Sequence, residues 1–189
     1  TDPMFPMGFA RVIDNKAVFL NANKYKFKTG FCLDIFPLDN ASDNKLPHKY
    51  NIFKIKIIQS LAKSKVDLNM SKYQGILRKI LVKVLATIGK LFSAKTLMKW
   101  QRKIAISNNH RITKNKCCYS YPYGDLKCLF PVEIYKEMVM VNFAHYQFPA
   151  PIGWHQLLTI IYGDYMTPPS IDKQVPIHGF ENLIFLDKN

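Results

Sequence analysis

Hydrophobic and polar positions follow two different periods along this chain, and the changes of period divide it into three parts. From Gly8 to Asp14 (GFARVID) and from Ala17 to Leu20 the runs are short and β-prone, and the turn-like pair Asn15 and Lys16 between them predicts a hairpin. Arg11 falls on the strand face of Phe9 and Ile13, where a guanidinium meets either a phosphate or an acidic neighbour such as Asp34. Lys24, Lys26 and Lys28 alternate toward Gly30 as an exposed edge does. Gly30 to Asn40, GFCLDIFPLDN, then reads as a strand rich in apolar and aromatic residues, stopped by Pro37. Strand alternation puts Cys32, Asp34 and Phe36 on one face and Leu33 and Ile35 on the other. The run favours burial, and a carboxylate inside it is costly unless paired, hydrogen-bonded or bound to a metal. Asp34 is thus the first candidate for chemistry, set against the plainer reading of a strand-end Asp that caps the next turn.

After the polar stretch DNASDNKLP the period becomes helical. Asn51 to Lys63 places Ile52, Ile55, Ile58 and Leu61 at helical spacing, and Gly75 to Phe92 does so more clearly. There Ile76, Leu77, Ile80, Leu81, Val84, Leu85, Ile88 and Leu91 form one stripe, with Arg78, Lys79, Lys83 and Lys90 off it. Stripes this wide more often pack on a protein core; a basic amphipathic helix also suits the surface of an anionic bilayer. A third helix is expected from Ala94 to Ser107, broken by Asn108, Asn109 and His110. From Cys117 the chain turns aromatic and proline-rich. Tyr119, Tyr121, Tyr123 and Gly124 suggest extended chain and a turn, and Pro131 to Glu137 a helical turn. Met138 to Phe148 reads as a strand ended by Pro149 and Pro151. A compact helix follows with Trp154, Leu157, Leu158 and Ile161 on its apolar face and Gly163 as its stop. Prolines 168, 169 and 176 predict a tail laid over the surface as extended chain. The elements together predict an α+β fold.

The 189 residues fit a single domain, and 48% hydrophobic with 21% charged residues excludes a disordered chain. Apolar runs fall short of the roughly 18 residues a membrane span needs, and no signal-peptide pattern opens the chain. A cytoplasmic setting is therefore expected, peripheral on the inner face of the membrane if the basic helix binds lipid. The chain opens on Thr1 with no methionine before Met4, which leads us to expect that an upstream segment has been cut away. The net charge of +14 is concentrated: residues 45–116 hold 18 Lys or Arg against one acid, Asp67, giving +17, while the remainder holds 9 basic and 12 acidic residues, giving −3. This basic helical insert suits an anionic membrane surface, a polyanionic substrate or nucleic acid, or else is simply a set of solvated helix faces. Nucleic acid is the weaker reading, because the aromatics lie mostly outside the basic segment. Cys32, Cys117, Cys118 and Cys128 match neither a paired zinc motif nor a secreted disulfide framework. Cys117, Cys118 and Cys128 with His110 make an awkward zinc tetrahedron, because adjacent extended residues point opposite ways. Structural zinc is not expected.

GFCLDIFPLD, and YGDYMTPP followed by VPIHGFEN, resemble signature segments of the LicD family, which includes fukutin and the fukutin-related protein. PMGFARV before the first segment and VNFAHYQFPAPIGWHQLL before the second agree in order, so the resemblance covers most of the chain outside residues 45–116. It implies a single LicD-like domain with a nucleotidyltransferase-like mixed sheet, N-terminally incomplete. The implied activity is transfer of a phospho-alcohol, of phosphocholine or ribitol phosphate type, from a CDP-linked donor to a sugar of a surface glycan. It also implies a divalent ion, usually Mg²⁺, held by carboxylates. On the matching positions Asp34 is a metal-site carboxylate and Asp39 the second acid, for which its place after Pro37 also suggests turn capping. Arg11 would contact donor phosphate. Tyr162, Gly163 and Asp164 match clearly and are expected to hold the C-terminal wrap against the active face, and His178 is either a further site residue or a satisfied structural histidine. The family's upstream Asp-x-Asp segment has no counterpart, and Ala144 and Gln174 stand where Glu and Arg are expected. The chain alone is therefore expected to be inactive.

Overall fold

The computed structural model describes residues 8–19, 30–65, 70, 73–120, 128–174 and 183–185. Lys24, Lys26, Lys28, Tyr121, Tyr123, Gly124, Pro176 and His178 lie outside the described residues, and so do the readings placed on them.

Alternation at the start of the chain builds one strand, not the expected hairpin. β1 runs from Ala10 to Phe19 through Asn15 and Lys16. It pairs antiparallel with β2 (Gly30–Ile35) in the register Ala10 with Ile35, Arg11 with Asp34, Val12 with Leu33 and Ile13 with Cys32. Between Ile13 and Val18 the register shifts, and the Lys16 backbone N–H donates to Asp14 Oδ1 at 2.9 Å. A local side-chain bond of this kind satisfies an amide that an irregular ladder leaves unpaired, so a bulge takes the place of a turn. β8 (Leu183–Phe185) pairs with residues 17–19 of β1, giving the order β2-β1-β8. β2 does not carry the buried face its composition suggests. Leu33 is 68% and Ile35 51% exposed, and Val12 opposite Leu33 is 56% exposed.

α1 extends from Lys45 to Ala62, starting well before the expected Asn51. Asn44 holds the extended backbone of a helix entry, and Pro47 is tolerated in a first turn whose N–H groups have no helical partner. α2 covers Ile76–Gly89 and α3 Ala94–Ala105, where Ser93 caps by accepting from the Thr96 backbone N–H at 3.0 Å. A 3₁₀ turn, Ile106–Asn108, finishes α3. Buried Ile58, Leu61 and Ala62 of α1 meet Leu97 of α3, with Leu85 and Phe92 against them. The basic segment thus supplies core as well as surface.

β3 (Asp39–Asn40), β4 (Asn115–Cys117) and β5 (Phe130–Pro131) form a short antiparallel sheet in that order. It joins the helices through Ala41, Ile52, Ile55, Ala105, Cys117 and Tyr119. The single strand expected over Met138–Phe148 is a hairpin, β6 (Met138–Phe143) and β7 (Tyr146–Pro151). Ala144 turns it with φ of 53°, a left-handed backbone that sequence favours at Gly or Asn and that alanine hides. Pro149 sits inside β7, which a ribbon with open edges permits, and Pro151 is its last residue, as expected of a strand end. α4 (Trp154–Tyr162) ends at Gly163, which takes φ of 73° as the expected stop. Its packing face is Leu157, Ile160 and Ile161 against the cluster of Cys118, Phe130 and Ile134; Trp154 is 38% exposed. The fold is α+β, and every described strand pair is antiparallel.

Candidate functional site

The register of β1 and β2 places Arg11 opposite Asp34, and their side chains close a forked ion pair. Arg11 Nε donates to Asp34 Oδ1 at 2.5 Å and Nη2 donates to Oδ2 at 2.9 Å. Both side chains are partly buried, at 20% and 25% exposure, so the pair is held in reach of solvent. Of the two partners open to Arg11 from sequence, the acidic neighbour is the one it meets. The Arg11 guanidinium also lies 5.6 Å from the centre of the Phe9 ring, which itself packs 4.6 Å from Phe36. A carboxylate on this strand is therefore compensated by a planar, bidentate cation.

Asp39 does not cap the turn after Pro37. It is 3% exposed and reaches back to α3, accepting from Arg102 Nη1 at 3.0 and 2.9 Å and from Asn109 Nδ2 at 2.8 Å. Asn109 Oδ1 in turn accepts from the Asn40 backbone N–H at 2.8 Å, so one amide locks β3 to the end of α3. Arg102 and Asn109 escaped the sequence reading because each looks like an ordinary exposed residue at a helix end. Gln101 was missed too, although it stands in the stripe Ala94, Leu97, Gln101, Ala105, where a polar residue must be satisfied. It is 3% exposed and donates to the Tyr119 carbonyl at 3.0 Å.

A cavity of about 480 Å³ opens beside these groups. Phe9, Ala10, Ile35 and Pro37 wall it on one side and Gln101, Arg102, Tyr119 and Ser120 on the other, with Asp39 reaching it from β3. Gly8 comes so close that a Cβ there would stand 2.6 Å from Gln101 Nε2. Arg11 and Asp34 are not among the residues that line the cavity, although Phe9, against which Arg11 lies, is. The two acids suggested by the resemblance thus face different surroundings, each already engaged by an arginine.

Below the cavity, Tyr119 OH and His48 Nδ1 are 3.2 Å apart, and His48 Nε2 is buried without a partner among the described residues. Burial lowers the His48 pKa from its ordinary value, and burial raises that of Tyr119, with the neighbouring Cys117 adding to the rise. Cys117 is pushed up to about 12, first by burial and then by Cys118, Cys128 and Asp39, so it is held as a thiol. Among the described residues no group of three or more His, Cys, Asp or Glu side chains is gathered to hold a metal ion. Asp34 and Asp39 are each engaged by an arginine, Arg11 and Arg102.

In the C-terminal part, Gly163 closes α4 through its N–H to Thr159 O at 2.9 Å, and Tyr162 is 68% exposed. Asp164 accepts from the Thr167 hydroxyl at 2.7 Å and from its N–H at 3.3 Å, and the hydroxyl bond lowers its pKa. These residues shape a helix stop followed by an Asx-type turn. Gln174 donates from Nε2 to the Pro169 carbonyl at 2.7 Å. No described helix is long and apolar enough to cross a membrane. In comparisons with known proteins the chain matches no family model, and neither a curated protein nor a solved structure matches it.

Proposed function

We propose that this protein is a LicD-like phosphotransferase that moves a phospho-alcohol from a CDP-linked donor to a sugar hydroxyl of a surface glycan. The reading assigns it a nucleotidyltransferase-like arrangement around the β1–β2 sheet. In the reaction the acceptor hydroxyl oxygen forms a bond to the phosphorus carrying the alcohol and its proton passes to solvent, the bond from that phosphorus to the bridging oxygen breaks, and CMP leaves with that oxygen.

The observation that carries the reading is the pairing of Arg11 with Asp34 inside the segments PMGFARV and GFCLDIFPLD. A guanidinium matches phosphate oxygens in the same forked geometry by which it holds a carboxylate. Donor diphosphate would take over Arg11 and release Asp34 toward the reacting phosphate. Being partly exposed, the pair is open to that exchange at modest cost, unlike the Asp39 site. In this reading Asp39 is a positioning residue that ties β3 to α3. Tyr162, Gly163 and Asp164 stay supports of the C-terminal wrap. Mg²⁺, which the resemblance implies, would meet a single described carboxylate at Asp34, and no step is assigned to it.

The test is CMP release from CDP-choline and CDP-ribitol, with Mg²⁺ present, by protein expressed from its whole reading frame. Release is expected to fall at least a hundredfold in Asp34→Ala, and Arg11→Ala is expected to raise the donor KM more than it lowers kcat. Absence of release with either donor overturns the reaction. Release unchanged in Asp34→Ala removes that residue from it. Circular dichroism of both variants separates loss of chemistry from loss of fold.

A further inference from the structure

α2 is packed inside out for a core helix. It meets α1 with Val82, Ala86 and Gly89, all small or short side chains and all buried. A Cβ on Gly89 would overlap the backbone of Leu61, so the two helices touch almost backbone to backbone there. Leu85 packs beside Val82, Ala86 and Gly89 against the α1–α3 cluster, and the other large apolar residues point away. Ile76 is 75%, Leu77 83%, Ile80 55%, Leu81 57%, Val84 49% and Ile88 43% exposed, and Leu91 just beyond the helix is 82% exposed. At 3.6 residues per turn these side chains occupy an arc of about 140°, centred opposite the buried arc of Val82, Ala86 and Gly89. Lys79, Lys83 and Lys90 border one side of the apolar arc and Arg78 the other. Among the described residues the ion pairs are Arg11 with Asp34 and Arg102 with Asp39, so the bordering lysines have no acidic partner there.

We infer that α2 is an interfacial anchor that lies flat on an anionic lipid bilayer, its apolar arc in the acyl boundary and its lysines at the headgroups. Its 14 residues span about 21 Å, short of a hydrocarbon core of roughly 30 Å, so the helix lies along the surface. The distribution of charge selects the occupant. An apolar face rimmed by cations complements a surface that is apolar in depth and negative at its plane. A second copy of this chain would bring the same cationic rim and a net charge of +14 against itself. Nucleic acid would meet leucines and isoleucines where it needs cations. The inference is independent of the phosphotransfer reading: the anchor stands whether or not CMP is released.

The experiment is flotation of the full chain with vesicles of phosphatidylcholine alone or with about 30% phosphatidylglycerol. Binding is expected to the anionic vesicles and to weaken steeply as salt rises from about 0.15 M to about 0.5 M. The pair Leu77→Gln and Leu81→Gln keeps helix propensity and is expected to cut binding roughly tenfold or more. The pair Lys79→Gln and Lys83→Gln is expected to weaken it about fivefold per lysine and to flatten the salt dependence. Equal binding to neutral vesicles, or binding indifferent to the leucine pair, overturns the inference. So does sedimentation as an oligomer that the leucine pair converts to monomer, which would make the face a contact between copies.

Discussion

Arg102→Ala is expected to be one of the most destabilising single changes on the surface of this protein, although the residue itself is 53% exposed along its side chain. The cost arises on its partner. Asp39 is 3% exposed and accepts three hydrogen bonds, two from Arg102 and one from Asn109. Removing one partner of a fully buried pair costs about 3–5 kcal/mol, because a desolvated charge is left behind. Here water already reaches the arginine and will enter part of the space it vacates, which reduces the expectation to about 2–3 kcal/mol. For a chain of this length that corresponds to a fall in Tm of roughly 4–12 °C. Urea unfolding at neutral pH measures it as a lower midpoint with unchanged slope. The decisive comparison is the double variant Asp39→Asn with Arg102→Ala. With the buried charge gone, the double variant is expected to be more stable than Arg102→Ala alone. If it is less stable than the single variant, or if Arg102→Ala shifts stability by less than about 0.5 kcal/mol, the reasoning from a buried carboxylate is wrong.

Other expectations follow from the same geometry. His48 is buried with its pKa lowered below the ordinary 6.5, so the unfolded chain binds its proton first and stability falls as pH drops below about 6.5, continuing until the folded pKa is reached; urea midpoints from pH 8 to 5 should show this slope, and His48→Gln should flatten it. Gly89→Ala gains about 1 kcal/mol of helix propensity, but its Cβ would overlap the Leu61 carbonyl oxygen, which no rotamer relieves. A net loss of about 1–3 kcal/mol in thermal or urea unfolding is expected there, and a gain in stability would show that α2 does not cross α1 this closely. Ala144→Gly at φ of 53° should stabilise the β6–β7 hairpin by about 1 kcal/mol, read as a raised Tm, since glycine adopts that backbone without the Cβ conflict.

The helical period was the most legible feature. Ile52, Ile55, Ile58 and Leu61 are buried as their spacing predicts, and Gly163 ends α4 in the left-handed region. The strand periods misled where a local bond or a disguised turn intervened. Asp14 and Lys16 satisfy each other inside a continuous β1, and Ala144 turns a hairpin without the glycine that would advertise it. Of the candidate site, strand faces offered Asp34 as one of two partners for Arg11, a phosphate being the other, and the ion pair forms. The Asp39 cluster was not, since its donors lie 63 and 70 residues away on α3 and the loop after it.

By itself the sequence determined the α+β class, the basic concentration in residues 45–116 and the amphipathic make-up of α2, because periodicity and charge are properties of local chain alone. Only the tertiary structure decided which way those faces turn. The β2 run looked fit for burial and is exposed at Leu33 and Ile35, while the apolar arc of α2 faces outward because Val82, Ala86 and Gly89 let α1 approach its other side more closely. A hydrophobic pattern states that a face needs covering. What covers it depends on the shape of the neighbour, and that is fixed only when distant segments are packed together.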